Sequence, residues 1–137
     1  MKSCVLDTNV VVSGFLKPNG PPARLLDWFF ANRLRLVYDR RMLVEYGDVL
    51  ARPELGIAAN DRSGFLLLLN CSGERIENPP PIRLTLPDAD DVPFIETALA
   101  SAEKIVVTKN LVHFQPAMSL GLRILSPAEA VAELEWL

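Results

Sequence analysis

Apolar residues fall in short blocks separated by charged or turn-forming positions, and the blocks change type along the chain. Ser3-Cys4-Val5-Leu6 is β-prone and stops abruptly at Asp7-Thr8-Asn9, which predicts a short first strand. Pro18, Gly20, Pro21 and Pro22 mark a loop, and a helix is expected from Ala23 to about Asn32. Its crowded apolar positions, among them Trp28, Phe29 and Phe30, predict heavy burial. Leu34 to Tyr38 reads as a second strand, followed by a helix from Arg40 or Arg41 to Ala51 that Pro53 ends.

A third helix is expected over Asp61 to Cys71, a strand over Glu74 to Glu77, and an extended connection through Pro79-Pro80-Pro81. Pro93 fits only the first turn of a helix, so a fourth helix should begin near Asp90 or Asp91 and run to Ala102. Lys104 to Thr108, with Ile105-Val106-Val107 at its centre, has the continuous apolar character of a strand buried on both faces. A last strand over Leu122 to Leu125 precedes a helix opened by Pro127 with Ser126 as its N-cap. Strands and helices alternating in this way predict an α/β domain with a mostly parallel sheet and helices on both faces. In such sheets ligands bind beyond the carboxyl ends of the strands, where this sequence puts Asp7-Thr8-Asn9 and Thr108-Lys109-Asn110.

Composition narrows the function classes without choosing among them. A chain of 137 residues, half of them hydrophobic and 23% charged, has the balance of a globular domain able to bury its own core. Phe65 to Leu69 is the longest uninterrupted apolar run, far too short for a membrane span, and Asp7 interrupts the apolar stretch behind Lys2. A cytoplasmic protein without a membrane segment is therefore expected. Cys4 and Cys71 are far apart among apolar neighbours and read as reduced core residues. A net charge of −3 lacks the basic footprint of a protein held to nucleic acid by charge alone, yet a pit of carboxylates would itself lower the charge of a metal-dependent nuclease.

The acids carry the candidate chemistry. Asp7 closes an apolar strand, where a charge must meet solvent, a partner or a cation; an ordinary Asx turn is the simpler account. Thr8 and Asn9 add oxygen acceptors beside it. Glu45 sits mid-helix, where an exposed ion pair with Arg41 would explain it. Asp88, Asp90 and Asp91 crowd a helix start, where acids complement the helix dipole but also repel one another. Such a group suits a hard divalent cation, Mg²⁺ or Mn²⁺, whereas one histidine and two dispersed cysteines build no zinc site.

These segments resemble PIN-domain ribonucleases. Val5-Leu6-Asp7-Thr8-Asn9-Val10-Val11 is similar to the family's opening, and Arg41 to Tyr46 with Val49 to Pro53 is similar to its second acidic helix. Asp88 to Ala98 is similar to the third acidic motif, and Val106 to Asn110 with His113-Phe114 is similar to the closing strand and turn. The nearest likeness is to the VapC-like toxin components of toxin–antitoxin pairs. The resemblance implies one three-layer α/β/α PIN-like domain over residues 1–137, with a central, mostly parallel sheet. It also implies Mg²⁺-dependent hydrolysis of single-stranded RNA to 5′-phosphate and 3′-hydroxyl ends.

Asp7, Glu45 and Asp91 would be the core metal-binding acids; Asp91 is preferred over Asp90 because Ala98, seven residues on, falls at the family's small helix position. Asp88 or Asp90 would supply a supporting carboxylate, and Thr8, Asn9 and Thr108 would orient the acids or a bound water. Asn110 stands where many members carry a fourth acid and brings no charge. Implied partners are RNA, a cognate antitoxin and a second copy of the chain, in a homodimer or larger homo-oligomer.

His113 matches a family turn rather than a catalytic position. Among basic residues Lys109 is the best candidate for an RNA phosphate, ahead of Arg24, Arg33, Arg35, Arg40 and Arg41. A catalytically weak or inactive PIN-like module that binds RNA or protein is the main alternative. A phosphatase with an aspartyl nucleophile ranks lower, because it wants a second Asp where Asn9 stands.

Overall fold

In the structure, a computed structural model that describes residues 1–135, four of the short β-prone segments and the pair Glu74-Arg75 become the strands of one parallel sheet. The strands are β1 (Ser3–Leu6), β2 (Arg35–Tyr38), β3 (Glu74–Arg75), β4 (Ile105–Val107) and β5 (Arg123–Leu125), in the spatial order β3-β2-β1-β4-β5. Every paired neighbour is parallel; Cys4 lies opposite Leu36, and Val5 and Leu6 lie opposite Val106 and Val107. All residues of β1 and β4 are buried. Successive strand side chains point to opposite faces, so both faces must be covered. The helices provide that cover in a three-layer α/β/α arrangement.

Those helices are α1 (Thr8–Leu16), α2 (Pro21–Phe30), α3 (Arg40–Leu50), α4 (Ala59–Ser72), α5 (Val92–Ala100), α6 (Leu111–Phe114) and α7 (Pro127–Leu134), with 3₁₀ turns at Pro53–Leu55, Ala89–Asp91 and Gln115–Leu120. The start of α7 follows its sequence: Ser126 accepts from the Glu129 N–H, Glu129 reaches back to Ser126, and Pro127 occupies the first turn. Pro93 likewise falls in the first turn of α5, as its missing N–H requires. No described helix is long and apolar enough to cross a membrane.

Several expectations need correction. The segment after β1 is not a simple turn: Asp7 occupies the N-cap position of α1, with no side-chain capping bond. Val10-Val11-Val12 is a poor helix former, but Val10 and Val11 are fully buried, so packing overrides propensity. Gly14 lets α1 approach α2, because a Cβ there would collide with the Leu26 side chain. The helix expected from Ala23 starts at Pro21 and ends at Phe30, and that last ring is 45% exposed beside the buried Phe29. The fourth predicted helix stops at Ala100, and the strand expected over Glu74 to Glu77 keeps only two residues. Cys71 is exposed near the end of α4, whereas Cys4 lies in the core, where burial pushes its thiol pKa up to about 12.

One feature of the core also positions the site. Phe65 of α4 makes edge contacts with Phe15, Phe29, Phe30 and Tyr46, and Tyr46 packs against Phe94 of α5. The buried Tyr46 hydroxyl donates to the carbonyl of Leu6. That bond ties α3 to the end of β1, one residue away from both Glu45 and Asp7.

Candidate active site

From β1 the chain builds outward to β2 and β3, then crosses back to place β4 and β5 on the other side. The reversal of strand order lies between β1 and β4, and a parallel sheet leaves a crevice beyond its carboxyl ends at such a point. Here the crevice is a cleft of about 490 Å³. Asp7 reaches it from the end of β1, Glu45 from α3, Asp88, Asp90 and Asp91 from the Ala89–Asp91 turn, and Lys109 and Asn110 from the end of β4. Thr8 and Asn9 line it as well, so of the residues nominated for the acid site only Thr108 is not a wall.

Thr108 lies just beneath. Its hydroxyl donates to Asp7 Oδ2 at 2.7 Å and accepts from the Asn110 N–H at 3.0 Å. The Thr8 hydroxyl donates to Glu45 Oε2, which replaces the Arg41–Glu45 pair expected from helical spacing. Arg41 instead bonds Asp39 and Glu96. Asp88 accepts from the Asp90 N–H at 2.9 Å and caps the short turn. The Asp7 and Glu45 carboxylates are thus each steadied by a threonine hydroxyl and not neutralised by a cation.

The electrostatics reflect that. Five carboxylates line the cleft against two cations, Arg52 and Lys109. Burial raises the Asp7 pKa; the Thr108 hydroxyl and the Thr8 backbone offset part of the rise, while Glu45 and Asp88 add to it. Asp91 is pushed up to about 7, first by burial, then by Asp7 and Asp88, with His113 opposing and Glu45 adding slightly. Asp91 Oδ2 and Asn9 Oδ1 are buried without a hydrogen-bond partner. Buried polar oxygens are normally satisfied, so unpartnered oxygens beside mutually repelling carboxylates are the environment a hard cation relieves.

Among the described residues no three His, Cys, Asp or Glu side chains converge closely enough to form a protein-only metal cage. This donor set still fits Mg²⁺ or Mn²⁺ chemistry, since Mg²⁺ keeps several waters and takes one or two carboxylates. It does not fit a closed zinc site.

Sequence reasoning missed Val12, Ser13, Val49, Arg52 and Leu55 among the cleft walls. Helical phase carries the signal for two of them: Val49 lies four residues beyond Glu45 and Ser13 four beyond Asn9, whereas Arg52 and Leu55 follow the end of α3. Ser13 accepts from Lys109 Nζ at 2.9 Å. His113 is exposed on α6 and is not a wall. Arg24 pairs with Glu135 and lies over the Trp28 ring, away from the cleft.

A sequence model of the PIN domain family matches residues 3–111, a span holding all five carboxylates of the cleft. Over 141 residues the chain is 28% identical to the uncharacterized protein MJ1680 of Methanocaldococcus jannaschii, with 96% of this chain and 90% of that protein covered. In three dimensions it is similar to a solved structure of FitAB bound to an IR36 DNA fragment, with a TM-score of 0.59, 18% identity, and 93% of this chain and 95% of that one covered. Matched over most of its length, the chain belongs to the PIN domain family, whose members are generally nucleases.

Proposed function

We propose that this chain is a divalent-metal-dependent endoribonuclease that hydrolyses phosphodiester bonds of single-stranded RNA, acting in the cytoplasm as the toxin half of a toxin–antitoxin pair. The observation that carries the reading is the unneutralised carboxylate group at the sheet's switch point, with Asp91 raised to about 7 and one of its oxygens buried without a partner. A buried group of like charges without a matching cation is the surrounding in which a ligand is expected.

Asp7 and Asp91 would hold the cation, with Asp88 in support. When bound, such a cation supplies Lewis acidity to the phosphoryl oxygens and acidifies water. Thr108 fixes the Asp7 carboxylate through Oδ2 where Asp7 lines the cleft. Thr8 fixes Glu45 through Oε2, and Glu45 would either reach the cation through a water or orient the attacking water. As water adds to phosphorus, the P–O3′ bond breaks and leaves a 5′-phosphate and a 3′-hydroxyl. Asn110 keeps its side chain on the rim and its N–H on Thr108, and so supports the Asp7 partner without adding charge.

A protein partner is supported by a separate apolar cleft of about 480 Å³, where Phe15, Phe65 and Leu68 lie beside the exposed Phe30 and Leu67. An antitoxin or a second copy of the chain would cover it. Cleavage of a mixed pool of structured and unstructured RNAs, with Mg²⁺, Mn²⁺ or EDTA and beside Asp7→Asn, tests the proposal. Metal-dependent cutting that Asp7→Asn abolishes is expected. No cutting by folded, antitoxin-free wild type with either metal would replace it with a non-catalytic binding module.

A further inference from the structure

Beside the acid cleft, and sharing Ser13 and Lys109 with it, is a second recess of about 320 Å³. Its character is opposite. Pro21, Pro22, Pro127 and Ala128 form apolar walls, Lys17 and Lys109 flank them, and no acid is among the lining residues. Neither adjoining helix start offers a ready set of donors: the three prolines have no N–H, and Ser126 and Glu129 satisfy each other. The recess is therefore an apolar slot flanked by two lysines: Lys109 donates to Ser13 at its edge, and Lys17 has no ion pair among the described residues.

That combination selects against several occupants. A bare phosphate would gain the lysines but leave the walls unused, and an apolar peptide would leave both charges unmatched. The size is at the lower end of small-ligand sites, which start at about 300 Å³. A nucleotide satisfies both halves, with a base face on the proline and alanine surface and a phosphate at the lysines. The basic pocket among Arg40, Arg41 and Arg75 is a weaker rival, because Arg41 is committed to Asp39 and Glu96 and Arg75 to Glu77.

We propose that this slot holds the nucleotide adjacent to the scissile phosphate of a single-stranded RNA, with Lys17 and Lys109 on its phosphate. The inference rests on the ribonuclease reading for what the strand is, and on the slot's own walls for how it is held. The shared Lys109–Ser13 bond forms the partition, so a strand crossing it passes from an acidic cleft to a basic slot in one step.

The test is fluorescence anisotropy of a labelled, mixed-sequence single-stranded RNA in EDTA, which prevents cleavage, across a salt series. Lys17→Glu should weaken binding about tenfold and lower the salt slope by about one, while Lys17→Arg restores both. Ala128→Trp, which fills the slot from an exposed position, should weaken binding with the slope unchanged, and an abasic strand should no longer distinguish that variant from wild type. Lys2→Glu, on a remote surface, should stay within about twofold of wild type.

Binding unaltered by both Lys17→Glu and Ala128→Trp overturns the proposal. So does a wild type that binds no RNA in EDTA, because walls and lysines act without the cation. Lys17-dependent binding without cleavage would retire the nuclease reading and leave the slot. Cleavage indifferent to Lys17 would do the reverse.

Discussion

Two aspartates end neighbouring strands of one sheet and lie in opposite surroundings. Asp39, after β2, is 3% exposed; Asp7, after β1, is 7% exposed. Asp39 Oδ1 caps α3 through the Met42 N–H, and its Oδ2 takes a two-pronged contact from Arg41. Arg41 also holds Glu96 Oε1, and Glu96 Oε2 accepts from the Ile82 N–H, which pins the proline-rich connection to α5. All four oxygens of that pair are used. Asp7 has a threonine and three acids for neighbours. Burial alone therefore does not mark a candidate site; buried charge without a matching cation does.

The same substitution at both positions should give opposite results, and this is the largest expected effect. Asp7→Asn should lower metal-dependent cleavage by at least about a hundredfold while leaving thermal stability equal or higher, since it removes repulsion. Asp39→Asn keeps the helix cap but breaks the charge pairing with a half-exposed arginine. It should cost about 1–3 kcal/mol in urea unfolding, with activity per folded molecule little changed. Loss of stability in Asp7→Asn with full activity would invert the contrast.

A divalent cation should act on one region only. At about ten times its dissociation constant, Mg²⁺ or Mn²⁺ should stabilise the wild type by about 1.4 kcal/mol, a rise of roughly 3–6 °C in a thermal melt. Asp7→Asn should show no rise, whereas Glu96→Gln should keep the full rise from a lower starting temperature. Equal shifts in all three proteins would mean that the cation binds elsewhere.

The pH dependence of the metal-free protein sharpens the contrast further. Asp91 has a folded-state pKa of about 7, above its unfolded value, so the folded chain binds more protons than the unfolded chain between about pH 4 and pH 7. Stability should therefore fall as pH rises through that window, the opposite of a salt-bridged carboxylate. Asp91→Asn should flatten the fall, as should saturating Mg²⁺. Melting temperatures of wild type and Asp91→Asn from pH 4.5 to 8 check both statements.

The legible parts of the sequence were those where one local pattern has one physical solution. Ile105-Val106-Val107 is apolar enough for a central parallel strand, and Ser126-Pro127 with Glu129 can only open a helix well. Asp7 and the group Asp88, Asp90 and Asp91 stand out because acids at strand ends and helix starts require a reason, whereas Glu45, mid-helix, is nominated only through the resemblance to PIN-domain ribonucleases. What local pattern could not supply was partnership across the fold. Arg41 sits four residues before Glu45, yet it bonds Glu96, 55 residues away, and Glu45 turns to Thr8. Nor could it show that Val10 and Val11 would be helical, because their burial against the core outweighs a propensity cost of a few tenths of a kcal/mol each. Cys71 fails for a related reason: the block before it is apolar all round, and only the packed phase of α4 buries Phe65 and Leu69 while exposing Leu67.

The smallest effect concerns the one cleft position where charge is missing. Asn110 is exposed on the rim, and its backbone N–H, not its side chain, supports Thr108. Asn110→Asp therefore leaves the Thr108–Asp7 bond intact and adds a sixth carboxylate to the cleft. Without metal it should lower stability by only a few tenths of a kcal/mol, an effect that salt screens because the site is open to solvent. With metal the added charge should tighten Mn²⁺ binding several-fold at low salt, read by titration calorimetry, with a smaller gain at high salt. If affinity is unchanged at low salt, the position lies outside the field of the cation. If affinity rises with a second binding event that the wild type lacks, the charge added at position 110 is what admits a second ion.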